Sequence, residues 1–107
     1  MTYREFWRRY LAAHADPRTR LLHYAGTSLA VGAIFAAALE RDWRWLLAAP
    51  ILGYALAWVG HLVFERNRPE TFSHPAWSLI SDFRMLGMFL FGRLGDELRS
   101  AGVRSTK

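Results

Sequence analysis

Two long apolar stretches dominate the pattern of hydrophobic and polar positions along the chain. They lie at about residues 21–39 and 45–64, and neither contains a formally charged residue. A helix of about 20 apolar residues is long enough to cross a hydrocarbon core of about 30 Å. The pattern therefore predicts two transmembrane helices, with a pair of buried helices in a soluble bundle as the alternative.

An amphipathic segment precedes the first apolar stretch. Residues 2–14 combine an aromatic stripe with arginines, which is typical of a helix lying at a lipid headgroup surface. Thr2 and Glu5 have the spacing of a capping box. Asp16 and Pro17 then provide an N-cap and a first helical residue for the helix that contains the first apolar stretch.

The C-terminal part of the chain predicts one more helix. It is expected to run from Pro75 to about Leu98 and to be partly inserted, since it is apolar but contains Asp82. Residues 102–107 are expected to form a frayed tail. We predict an all-α fold: one integral membrane helical bundle over residues 1–107, with two transmembrane helices, an N-terminal interfacial helix and a C-terminal partly inserted helix.

Composition and charge favour lipid over nucleic acid as the partner. The chain is 52% hydrophobic with a net charge of +5. A basic protein binds anionic lipid or nucleic acid, and this apolar content points to lipid, so no nucleic-acid partner is expected. More arginines flank the outer ends of the two stretches than the turn between them, which predicts cytoplasmic termini, and we expect location in a bacterial inner membrane.

Histidines supply the candidate chemistry. In an antiparallel pair of spans, the start of the first and the end of the second lie on the same side of the membrane. His14, His23 and His61 should therefore gather at one face, and they form a candidate metal site. His74 lies in the loop before the last helix and is ranked below them.

The ligand set narrows the choice of metal. The sequence contains no cysteine, so imidazole and carboxylate must hold the ion. Glu65 follows His61 by one helical turn, and Asp82 lies on the last helix; both are candidate carboxylates. Histidine with carboxylate suits non-haem iron or zinc, and spacing alone does not decide between them.

Three segments carry a resemblance to a known family. They are HADPRTRLLHYAGT, GHLVFERNRPETF and HPAWSLISDFRML, in this order around the two apolar stretches. The sequence resembles the Mpo-type family of small membrane proteins over about residues 5–92. Fungal members of that family are 2-hydroxy fatty acid dioxygenases of the endoplasmic reticulum.

The resemblance implies an Fe(II)-dependent α-oxidation. A 2-hydroxy fatty acid and dioxygen would yield a fatty acid one carbon shorter. By matching motif, the iron ligands would be His14, His23 and His61. Glu65 would be a fourth ligand or orient His61, and Asp82 is a weaker candidate for either role.

Substrate-binding residues are expected around this centre. Tyr54 and Trp58, on one stripe of the second span, would line an apolar slot for the acyl tail. Arg20 or Arg68 would hold the carboxylate, and Asn67 belongs to the same motif as Arg68. Glu70 would make the loop near the substrate entrance more acidic.

Other functions stay open at this point. One is a zinc-dependent membrane hydrolase acting on a lipid amide or ester. Another is a non-enzymatic membrane scaffold, in which a bulky residue at Gly26 or Gly32 would matter more than the loss of His61. Haem held by two histidines is a third alternative, and the chain is also a candidate homo-oligomer.

Overall fold

The computed structural model describes residues 1–103, and within that range every regular element is helical. The five α-helices are α1 (Tyr3–Ala12), α2 (Pro17–Glu40), α3 (Trp45–Gly60), α4 (Pro75–Leu90) and α5 (Leu94–Ser100). A π-helical turn, His61–Glu65, continues α3, and a short 3-10 turn, Glu70–Phe72, precedes α4. The predicted all-α class is confirmed.

Local capping starts the first two helices where the sequence predicted. The Thr2 side chain accepts a hydrogen bond from the Glu5 backbone N–H, and the Glu5 carboxylate accepts one from the Thr2 N–H at 2.9 Å. Asp16 accepts from the Arg18 N–H at 2.8 Å, and Pro17 is the first residue of α2. These bonds satisfy backbone donors that the first helical turn leaves free.

Two helices are long and apolar enough to cross a membrane. They are Pro17–Glu40 and Trp45–Glu65, and only 28% and 22% of their most apolar windows are buried within the protein. A core helix of a soluble protein would bury most of such a window. Large apolar side chains instead face outward, among them Leu29, Ile34, Phe35, Leu39, Leu47 and Ile51.

Glycine allows α2 and α3 to pack closely. A Cβ atom added at Gly26 would lie 2.9 Å from the Gly53 carbonyl oxygen, closer than packed atoms approach. Apart from the adjoining residues and backbone of α2 itself, no atom of residues 1–103 comes within 4 Å of a Cβ added at Gly32. Of the two glycines proposed for helix packing, the structure assigns the close contact to Gly26.

Gly26→Leu is expected to destabilise the protein strongly, because the α3 backbone must move. Overpacking of this kind costs about 1–3 kcal/mol or more. Thermal unfolding in detergent measures the effect, and Gly32→Leu is the matched control with little expected change. Equal melting temperatures for the two variants would show that the helix crossing does not depend on Gly26.

A cluster of buried hydrophobic residues lies between α1, α4 and α5, with Tyr24 of α2 at its edge. The apolar face of α1 is buried there, with Phe6 and Tyr10 fully inaccessible to solvent. We predicted that α1 lies at a lipid headgroup surface. α4 and α5 cover its aromatic stripe, and its outward side carries the arginines. The location of α1 at a headgroup surface stays a prediction.

The last helix is not continuous, contrary to the prediction. Gly92 has a left-handed backbone conformation with φ of 72°, and the Arg93 N–H donates to the Met88 carbonyl at 2.8 Å. This is the usual way in which a glycine ends a helix, and it separates α4 from α5. Val103, within the predicted frayed tail, is buried, whereas residues 104–107 lie outside the described part.

Candidate metal centre

Three histidines from different elements meet at one point. His14 follows α1, His23 lies in the second turn of α2, and His61 begins the π-helical turn. The Nε2 atom of His14 is 3.0 Å from the Nε2 atoms of both His23 and His61. All three ring nitrogens lie within 4.8 Å of one another, and none of the three residues is more than 4% exposed.

Backbone carbonyls fix the protonation pattern of two of these rings. His14 Nδ1 is 2.6 Å from the Tyr10 carbonyl oxygen, and His23 Nδ1 is 3.1 Å from the Thr19 carbonyl oxygen. A carbonyl oxygen only accepts, so each Nδ1 must carry the hydrogen. In the neutral ring, Nε2 then presents a lone pair.

Asn67 fixes the third ring in the same way. Its Nδ2 donates to the Ala13 carbonyl oxygen at 3.1 Å, which orients the amide. The amide oxygen therefore faces His61 Nδ1, at 2.7 Å, and accepts its hydrogen. Asn67 was predicted to bind substrate; the structure places it behind His61, where it orients the imidazole ring.

The converging ring nitrogens form a site that could hold a metal ion. Burial lowers the pKa of His14 well below its usual value, so this imidazole is neutral. When all three rings are neutral with the hydrogen on Nδ1, three Nε2 lone pairs face one another, which is repulsive unless a cation lies among them. Histidine ligands whose other nitrogen donates to a carbonyl or amide oxygen are the usual arrangement in metal sites. These residues fit a metal ion.

Asp82 is the carboxylate beside the cluster. Its Oδ1 atom is 3.9 Å from His23 Nε2, and the Tyr10 hydroxyl donates a hydrogen bond to the same oxygen. Burial raises the pKa of Asp82 to about 7. Burial also raises the pKa of Tyr10, so this phenol keeps its proton and remains a donor. Tyr10 was not predicted as a site residue.

Glu65 lies away from the three histidines. Its Oε2 atom accepts from the Asp16 backbone N–H at 2.6 Å, at the start of α2. We placed Glu65 on the same face as His61 because four residues make about one α-helical turn. The chain is π-helical from His61 onward, which widens each turn and rotates Glu65 out of that line.

The two candidate arginines also differ in position. Arg20 is buried, and its NH1 atom donates to the carbonyl oxygens of His14 at 2.6 Å and Ala15 at 3.0 Å. Its NH1 atom therefore stabilises the segment that carries His14. The Arg68 guanidinium lies over the Phe72 ring, 5.4 Å from its centroid.

Of the two aromatic residues predicted to bind the acyl tail, Tyr54 lines a cavity and Trp58 packs beside it. Tyr54 lines an apolar cavity that reaches His23 and Asp82. Trp58 packs on Tyr54 with ring centroids 5.5 Å apart. Its indole N–H is buried and has no hydrogen-bond partner among the described residues.

His74 belongs to a different group of side chains. It stacks on Trp77 with ring centroids 5.2 Å apart, and its Nδ1 atom is 3.3 Å from Arg9 NH2. Arg9 also forms two 2.9 Å hydrogen bonds to the Glu70 carboxylate. The negative charge that we expected Glu70 to bring to the loop is thus paired.

Replacing Asn67 with leucine is expected to weaken metal binding by about 10- to 100-fold, since His61 loses the acceptor that orients it. Asn67→Asp keeps an acceptor for His61 but loses the donor to Ala13. Its metal affinity should lie between those of the leucine variant and the wild type. Competition with a chromogenic chelator measures the affinities. Equal affinity in all three proteins would contradict the orienting role.

The fold and the site define a class: a small helical protein with two membrane-length apolar helices and a buried three-histidine cluster. Residues 1–94 match the family model described as 2-hydroxy-palmitic acid dioxygenase Mpo1-like, and the chain belongs to this family. The resemblance seen in the sequence is thereby confirmed. No curated protein and no solved structure matches the chain.

Proposed function

We propose that the protein is an Fe(II)-dependent dioxygenase that shortens 2-hydroxy fatty acids by one carbon. One observation carries the proposal: the ring nitrogens of three buried histidines converge on one centre, and one of these histidines, His23, also lines an apolar cavity. A metal site joined to an apolar slot is what a reaction at the head of a lipid requires. The name of the family supports the same activity.

His14, His23 and His61 would hold the iron. Bound there, iron would supply the activation of dioxygen, which amino-acid side chains do not provide. Three protein ligands leave positions for substrate and dioxygen, as in the two-histidine, one-carboxylate iron oxygenases. Asp82 is close enough to join the set or to act beside it.

The reaction balances without an organic cofactor. One 2-hydroxy acid and one dioxygen give one acid shortened by a carbon, one carbon dioxide and one water. The proton of the 2-hydroxyl group must be removed on the way. We assign this to Asp82, whose Oδ1 atom faces the cluster and is held by the Tyr10 hydroxyl.

Location in a membrane is part of the proposal. The two apolar helices are mostly unburied within the protein, and the proposed substrate is an amphiphile. By the positive-inside rule, the arginines near the N-terminus favour cytoplasmic termini, and we propose the bacterial inner membrane as the location. The metal centre, where α1 meets α2, would then lie near the cytoplasmic surface.

Oxygen consumption tests the function directly. Protein purified without chelators and loaded anaerobically with Fe(II) receives 2-hydroxypalmitate carrying a labelled carboxyl carbon. We expect one labelled carbon dioxide and one pentadecanoate for each dioxygen consumed. An iron-loaded sample that consumes no dioxygen with any 2-hydroxy acid would overturn the proposal.

Zinc is the second candidate, because three histidines and a water form a known catalytic zinc site. A zinc-loaded sample that releases fatty acid from a lipid amide or ester, together with an inactive iron-loaded sample, would establish the hydrolase instead. Activity with iron alone would exclude it. The same assays therefore decide between the two enzymes.

A further inference from the structure

A cavity of about 270 Å³ lies between α2, α3 and α4. Its polar end is formed by His23 and Asp82, beside the metal centre. The rest is mainly apolar, and its lining includes Ala30, Ile34, Ala49, Pro50, Gly53 and Leu79. Small-molecule sites usually measure about 300–1,000 Å³, so this one is suited to a single slender chain.

The length of the cavity matches one leaflet of a bilayer. His23, Thr27, Ala30 and Ile34 line it along one side of α2. At about 1.5 Å per residue, His23 and Ile34 are about 16 Å apart along the helix axis. Half of a hydrocarbon core of about 30 Å is about 15 Å, the depth to which a lipid tail extends.

The cavity opens sideways. Ile34, Leu79 and Phe83 line it and are 51%, 49% and 48% exposed, respectively. They belong to α2 and α4, whose facing sides thus leave a gap beside α3. In a membrane, such a gap opens toward lipid tails, so an acyl chain can enter without passing through water.

We propose that this cavity is an acyl groove, that the substrate enters it sideways from the lipid, and that Ala30 and Ile34 limit the tail length. The inference rests on the proposed function for the chemistry of the headgroup. A Cβ atom added at Gly53 would lie 3.6 Å from the Ala30 Cβ, so the two helices converge at mid-groove. A larger side chain at position 30 fills the groove there, and one at position 34 fills it further from the metal.

Graded substitutions test the limit on tail length. Ala30→Leu should lower kcat/KM for 2-hydroxypalmitate by at least about tenfold relative to 2-hydroxyoctanoate, because several methylenes lose their contacts. Ile34→Trp should disfavour 2-hydroxypalmitate but spare 2-hydroxylaurate. Ala25→Leu, exposed on the same helix and outside the groove, is the matched control. If the ratio of kcat/KM for the long and short substrates is unchanged in both groove variants, the proposed groove is wrong.

A photoreactive probe gives a readout that does not depend on turnover. Palmitate with a diazirine at its methyl end is expected to label Ile34, Ala49 or Pro50, as located by mass spectrometry. Ala30→Leu should reduce this labelling, and Ala25→Leu should not. Labelling spread evenly over the outer faces of α2 and α3 would overturn the proposal.

The two proposals fail in different ways. If the groove is labelled specifically but the protein consumes no dioxygen, the groove proposal stands and the dioxygenase proposal is wrong. Turnover of 2-hydroxypalmitate without groove labelling, and without a change in chain-length preference, would retain the dioxygenase and reject the groove. Equal metal content in wild type and variants shows that each substitution leaves the metal centre intact.

Discussion

Replacing His14 and His61 together with alanine is expected to remove the metal and all oxygen uptake. The substitution deletes two of three converging ligands, and the remaining imidazole cannot hold an ion at ordinary metal concentrations. Elemental analysis of protein purified without chelators measures the metal content. We expect a substantial metal content in wild type and only background in the variant.

His74→Ala is the matched control for this prediction. His74 is a histidine of the same protein that stacks on Trp77 and lies outside the cluster, so its loss should leave the metal content unchanged. Circular dichroism confirms that the double variant still folds. A folded double variant that retains the wild-type metal content would show that the ion binds elsewhere, and it would remove the basis of the proposed enzyme.

Periodicity and topology were enough to predict how the histidines converge. The two apolar stretches give two helices joined by a short turn, which makes them antiparallel. His23, near the start of α2, then lies beside His61, at the end of α3. α1 ends at Ala12 and α2 begins at Pro17, so His14, between them, lies at the same end of the helix pair as His23 and His61. No side-chain detail was needed for this step.

The supporting groups could not be predicted from spacing. Backbone carbonyls at the end of a helix and just beyond it lack partners within the helix, and the tertiary fold determines which side chains reach them. His14 Nδ1 donates a hydrogen bond to the Tyr10 carbonyl oxygen, and the Asn67 amide donates one to that of Ala13. The Arg20 guanidinium donates to the carbonyl oxygens of His14 and Ala15. The polar side chains that bond these carbonyls thus also belong to the histidine cluster or contact it.

Helix periodicity was misleading where the helix changes type. The prediction for Glu65 assumed that α-helical geometry continues beyond His61. The π-helical turn holds His61 toward the cluster and directs Glu65 to the start of α2. Asp82 approaches His23 through the packing of α4 against α1 and α2, which local sequence does not reveal.

Asp82→Asn is expected to lower kcat by about 10²- to 10⁴-fold, the usual contribution of a positioned proton acceptor. The amide keeps the shape of the side chain and an oxygen for the Tyr10 hydroxyl, but it cannot take up the proton. The three histidines are unchanged, so the metal content should stay near that of wild type. Oxygen uptake with 2-hydroxypalmitate and elemental analysis of the same sample give both quantities.

Glu65→Gln decides between the two candidate carboxylates. The glutamine oxygen still accepts from the Asp16 N–H, so the start of α2 is preserved and oxygen uptake should stay close to wild type. A larger loss in Glu65→Gln than in Asp82→Asn would reverse the assignment and make Glu65 the reacting group. Comparable losses in both, with metal also lost, would mean that each acts only by stabilising the fold around the histidines.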